Sequence, residues 1–153
     1  RQDCEESKGV IMDIFFYAPQ GEYGFLSNFY LQPIEVGKRI WKSSEHYFQA
    51  MKSEDLADQE YVRSLFRPFD AKMAGKQLRL RKDWEIVKEK YMLEALRAKF
   101  LLPRLRIKLL TTAPHILHED SPSSASGLYW GYVVGKGKDR LGILLMQVRE
   151  EMK

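Results

Sequence analysis

The sequence predicts an α+β fold that is mostly helical: a compact single domain with a small antiparallel sheet near its N-terminus. Three observations predict it. From about residue 43 onward, apolar side chains recur at three- and four-residue spacing. The short aromatic or alternating runs that suit strands lie before that point. The 153 residues, 44% of them apolar, are enough for one core and too few for two large domains.

Residues 1–12 read as a terminus that is disordered or foreign to the domain, and residues 13–153 as the domain itself. The run Ile14-Phe15-Phe16-Tyr17 suits a short buried strand, after which Pro19, Gly21 and Gly24 mark a loop. Leu31–Trp41 alternates and carries Gly37-Lys38, the pattern of a hairpin. Ser43 or Ser44 suits a helix N-cap, with Glu45 in the favourable first turn. A second helix is predicted near Asp55–Phe66, ended by Pro68, followed by a short turn capped by Asp70 and closed by Gly75. Trp84–Phe100 has the clearest helical period, with Trp84, Val87, Tyr91, Ala95 and Ala98 inward and Glu85, Lys88, Glu89 and Lys90 outward. Pro103 starts another helix. Around His115 and His118 the chain reads as leaving that helix, and residues 121–127 as an exposed loop. A last helix begins near Leu141.

Composition excludes several classes. No apolar run approaches the ~20 residues of a membrane span. The N-terminus lacks the apolar core of a signal peptide, and a lone Cys4 allows neither an internal disulfide nor a cysteine zinc site. The expectation is a cytoplasmic protein. The net charge of +4 hides an asymmetry: residues 1–60 carry 6 basic and 11 acidic side chains, residues 61–108 carry 14 and 5. Such a basic block serves nucleic acid, a phosphorylated small molecule, or only solvated helix faces.

Three features carry candidate chemistry. Glu45, among polar and aromatic residues at a helix start, suits either stabilisation of a developing cation or mere complementing of the helix dipole. His46 points about 100° away from it on a helix and reads as a hydrogen-bonded, semi-buried histidine. The loop Gly135-Lys136-Gly137-Lys138 offers N–H groups and two ammonium groups to a phosphate, or is a surface turn. Trp84 and Trp130 suit stacking on a base or sugar as well as the core. The three histidines do not assemble a metal set by spacing, and no metal is expected.

Taken together, GEYGFLSNFY, WKSSEHYFQAMK, the Trp84 helix and YWG…GKGKDRLGILLMQVREE resemble the YbiA-like family, also called NADAR domains, from about Phe15 to Glu151. The resemblance implies hydrolysis of N-glycosidic bonds without metal or cofactor. Its substrates would be ribosylaminopyrimidine phosphates of the riboflavin pathway, giving ribose 5-phosphate, or ADP-ribose on guanine. It makes Glu45 the catalytic residue, and Asn28, Trp84, Tyr129, Trp130, Lys136, Lys138, Arg79 and Arg81 substrate-binding residues. The implied partners are a phosphorylated ribosyl small molecule or ADP-ribose, with nucleic acid only as an ADP-ribosylated substrate. Three readings follow: an N-glycosidase, a non-catalytic ADP-ribose or nucleotide binder, and a domain acting on ADP-ribosylated guanine in nucleic acid. One departure stands out. Family members carry acidic residues on both sides of YWG, whereas Ser126-Gly127-Leu128 and Tyr132-Val133-Val134 flank it here; Glu119 and Asp120 lie further upstream.

Overall fold

The computed structural model describes residues 9–153. Strand β1 (Asp13–Phe16) buries Ile14 and Phe16 and exposes Asp13 and Phe15, as its alternation requires. A 3₁₀ turn at Gly24–Leu26 leads to the hairpin of β2 (Ile34–Val36) and β3 (Arg39–Trp41), which is antiparallel as expected. Gly37 and Lys38 both have positive φ at its turn, the geometry that matches strand twist.

Seven α-helices follow among the described residues. Helix α1 (Ser44–Ala50) is buried at every position and packs against α2 (Leu56–Ser64), α3 (Pro68–Gly75) and α4 (Trp84–Phe100). It is the hub of the domain. Ser43 caps it through His46 N–H, and Asp55 caps α2 through Ala57 and Asp58 N–H. Then come α5 (Pro103–Thr111), β4 (Ile116–Glu119), α6 (Ala125–Trp130) and α7 (Arg140–Glu151). The core joins Trp41, Leu96, Phe100, Leu105, Leu109, Leu117, Leu144 and Leu145, all fully buried.

Several elements differ from the sequence expectation. Pro68 does not end α2 but opens α3, where its missing N–H costs nothing; Asp70, in the first turn, then accepts from Arg67 N–H. The stretch around His115 and His118 is strand β4, running parallel to β1 with Phe16 opposite Glu119. Its four residues gain strand geometry only from a partner about a hundred residues away. Residues 121–127 are not all loop, since Ser124 caps α6 through Gly127 N–H. On α4, Lys88 is buried rather than outward, its ammonium 3.6 Å from the Tyr129 ring centroid and paired with Glu85.

The expected terminus at 1–12 lies mostly outside the described residues, as does Cys4. Met12, however, is tied down: its N–H donates to His115 Nδ1 and its carbonyl accepts from Ile116 N–H, both at 3.0 Å. Among the described residues no helix is long and apolar enough to cross a membrane.

Candidate active site

Helix α1 brings the site together. The chain at Ser27-Asn28 docks on its first turn, where Glu45 N–H donates to Asn28 C=O and Ser44 Oγ donates to Asn28 Oδ1 at 2.8 Å. Asn28 Nδ2 contacts Met92 Sδ at 3.4 Å, a weak acceptor that leaves its other N–H free for a ligand. His46 is fixed as well. Its Nε2–H donates to Leu65 C=O at 2.9 Å, so Nδ1 must accept from Ser43 O–H at 2.7 Å. Burial pushes its pKa down, and it remains a neutral structural histidine.

Above α1 lies a cavity of about 260 Å³. Glu45, Gln49 and Asn28 form its floor, Phe29, Phe48, Phe69 and Trp130 its aromatic walls, and Lys72 and Glu119 its polar side. Glu45 is buried and accepts from Gln49 Nε2 at 2.7 Å. Burial raises its pKa, while the Gln49 hydrogen bond, Lys72 and Lys52 pull it back. Glu119 accepts from Ser121 Oγ at 2.6 Å. Burial raises its pKa too; Ser121 and Lys72 oppose the rise, and the charges of Glu45 and Asp139 add to it.

Glu119, upstream of YWG, lines the cavity. The carboxylate reaches the cavity from β4 instead of from the loops on either side of Trp130. Gly131 explains why. Its backbone is ordinary extended chain, but a Cβ there would lie 2.0 Å from Ser121 Oγ and 3.0 Å from Glu119 O. The glycine of YWG therefore makes room for the serine that orients Glu119.

The other sequence-predicted residues are only partly assembled. Asn28, Glu45 and Trp130 line the cavity. Trp84 stands behind Phe48, the rings 5.1 Å apart, and does not reach the wall. Tyr129 turns away, its hydroxyl donating to Glu89, which also pairs with Arg140. Arg81 is held by Asp83 at 2.6 Å and packs on Tyr91, and Arg79 shares its exposed groove. Lys136 and Lys138 are exposed and outside the cavity lining. Part of the loop's N–H set is used internally: Lys136 donates to Val133, Lys138 to Leu128 and Asp139 to Gly131 carbonyls. Sequence reasoning missed Lys72 and the role of Glu119. Neither lies in a motif with Glu45, and only folding brings the three together.

Among the described residues no cluster of three metal-ligating side chains occurs. His118 bridges Asp13 Oδ1 at 2.8 Å and Asp139 Oδ2, joining β1, β4 and the start of α7.

Two carboxyl groups whose pKa values burial raises, facing one aromatic-walled cavity, can divide acid and base work between them. That division is the chemistry of glycosidase-type hydrolases. Comparison with known proteins agrees. The NADAR domain model matches residues 15–153. N-glycosidase YbiA of Escherichia coli K12 is 46% identical over 143 residues, covering 91% of this chain and 88% of that protein. An N-glycosidase of Nostoc punctiforme is 37% identical, covering 93% and 94%. A riboflavin biosynthesis protein of Vibrio vulnificus is 38% identical over 98% of this chain but 42% of its own length. The NMR structure of E. coli YbiA superposes with a TM-score of 0.82 at 45% identity, over 92% of this chain and 84% of that one. The chain belongs to the NADAR domain family.

Proposed function

We propose that this protein hydrolyses the N-glycosidic bond of a phosphorylated N-ribosyl compound of the ribosylaminopyrimidine phosphate type, releasing ribose 5-phosphate. The single observation that carries the reading is the pair Glu45 and Glu119 in one cavity. The relatives named as N-glycosidases and as a riboflavin biosynthesis protein support it.

The surroundings of the two carboxyls divide their roles. Glu45 feels two lysines, Lys72 and Lys52, which favour its charge. Glu119 feels one lysine and two like charges, Glu45 and Asp139. These surroundings suit Glu45 to the charged, base role and Glu119 to the acid role. Glu119 then protonates the departing base nitrogen as the C–N bond breaks. Glu45 stabilises the oxocarbenium-like ribosyl centre and takes a proton from the water that attacks it. Asn28 N–H holds a ribose hydroxyl, and the Trp130 and Phe69 rings flank the base.

The test is release of ribose 5-phosphate from a panel of N-ribosyl phosphates, and of ADP-ribose from ADP-ribosylated guanine nucleotides. Glu45→Gln and Glu119→Gln should each lower kcat by about 10²–10⁴-fold. Turnover confined to ADP-ribosylated guanine would reassign the leaving group and keep the chemistry. Wild-type rates in Glu45→Gln would overturn the mechanism, and no turnover by the wild type would overturn the activity.

A further inference from the structure

Beside the cavity lies a group of lysines that the carboxylate chemistry does not exhaust. Along α1 and the turn that follows it, Glu45, Gln49 and Lys52 form one stripe at helical spacing. On α3, Lys72 and Lys76 are four residues apart and share a face. The two helices meet closely because Gly75 lacks a side chain, and a Cβ there would fall 1.9 Å from Gln49 Oε1. That contact brings the two stripes side by side.

The ammonium groups of Lys52 and Lys72 lie by rings of the cavity, and exposed Lys76 is near enough for its charge to act on Lys52. Lys52 Nζ is 6.0 Å from the Phe48 ring centroid and Lys72 Nζ 5.9 Å from that of Phe29, and both rings line the cavity. Lys52 is half-buried, and burial together with the charges of Lys72 and Lys76 pushes its pKa down, with Glu45 acting against them. Among the described residues none of the three makes a salt bridge within 4 Å, whereas neighbouring Arg63, Arg67 and Arg81 are each paired. Three cations gathered without partners repel one another, and the arrangement is relieved by an anion.

We infer that Lys52, Lys72 and Lys76 form an anion subsite that takes a phosphate group of the substrate at the cavity rim. The inference rests on reading this cavity as the hydrolytic site, and adds where the substrate's charge is held. Lys52 lies just beyond the C-terminal end of α1 and Glu45 in its first turn, so the reacting bond and the phosphate are held towards opposite ends of that helix. A phosphomonoester and a pyrophosphate present the same oxygens to such a subsite.

The experiment is calorimetric binding of ribose 5-phosphate, ribose and ADP-ribose at low salt to wild type, Lys52→Met, Lys76→Met, Lys136→Met and an α4 surface control, Lys90→Met. Ribose 5-phosphate should bind far better than ribose. Lys52→Met and Lys76→Met should each weaken it about tenfold and reduce its salt dependence, with Lys90→Met unchanged and Lys76→Arg restoring affinity. Loss seen with ribose 5-phosphate identifies a monoester site; loss seen only with ADP-ribose identifies a pyrophosphate site. Unchanged affinity in both variants, or loss in Lys136→Met alone, overturns the subsite. The two readings separate cleanly: phosphate binding that depends on Lys52 and Lys76 without any N-riboside turnover keeps the subsite and removes the hydrolase. Turnover at wild-type KM in both variants does the reverse.

Discussion

Gly131→Ala isolates the step by which the fold orients Glu119. At this position φ is −115° and ψ −175°, open to any residue, so backbone strain contributes nothing and the whole effect is steric. The new methyl would sit 2.0 Å from Ser121 Oγ and 2.5 Å from its Cβ, more than an ångström inside contact distance. Ser121 must move, because the remaining contact is the Glu119 carbonyl, held in place by Tyr132 N–H at 2.7 Å. Overpacking of this kind costs about 1–3 kcal/mol. For a domain of this size each kcal/mol is worth about 2–4 °C, so the melting temperature should fall by roughly 2–12 °C. Displacing Ser121 also removes the hydrogen bond that holds down the Glu119 pKa, so the alkaline limb of the pH–rate profile, where the general acid loses its proton, should move to higher pH. Thermal melts of Gly131→Ala in the wild-type and Ser121→Gly backgrounds form a double-mutant cycle. The alanine should cost much less where Ser121 has no side chain. An equal cost in both backgrounds, or a melt within about 1 °C of wild type, would refute the steric coupling between Gly131, Ser121 and Glu119.

Two further predictions concern pH. Lys99 is fully buried, donates to Ser27 C=O at 2.8 Å, and burial pushes its pKa down to about 7. Between about 7 and the unfolded value of 10.5 the unfolded chain binds the extra proton, so stability rises with pH across that window. Lys99→Met should flatten this rise, which spans on the order of 4 kcal/mol; melts at pH 7–10 with an unaltered slope would contradict it. For His118, burial opposes the charge, but the hydrogen bonds to Asp13 and Asp139 prevail and raise its pKa above 6.5. Its contribution, about 1–2 kcal/mol, is complete below pH 6.5 and is lost as pH rises through the folded value. Wild type should therefore lose stability relative to His118→Gln between pH 6 and 8.5, and parallel curves would count against the clamp. The Glu45 and Glu119 variants and the Lys52 and Lys76 series test the chemistry and its phosphate site separately.

Much of the fold is legible in local chemistry. Ser43, Asp55 and Pro103 mark helix starts because their preferences act within one turn. The Gly37-Lys38 turn and the long apolar period of Trp84–Phe100 are equally local. Glu45 and Asn28 are legible for a different reason: they stand inside SEHYFQA and SNF, motifs that helix patterning alone does not produce.

What the tertiary structure decided is everything that depends on meetings across the chain. Strand β4 exists because β1 offers it a ladder, and that pairing delivers Glu119 to the cavity from a position that no motif around Trp130 marks. The basic block from residue 61 to 108 reads as one feature, yet packing gives its members opposite fates. Arg81 is neutralised by Asp83, Lys88 is buried against Tyr129, and the contact of Gly75 with Gln49 carries Lys72 beside Glu45 and Lys76 beside Lys52. Charge and helical period follow from residue type and local spacing. Which charges are left without a partner depends on distances that only the packed helices set.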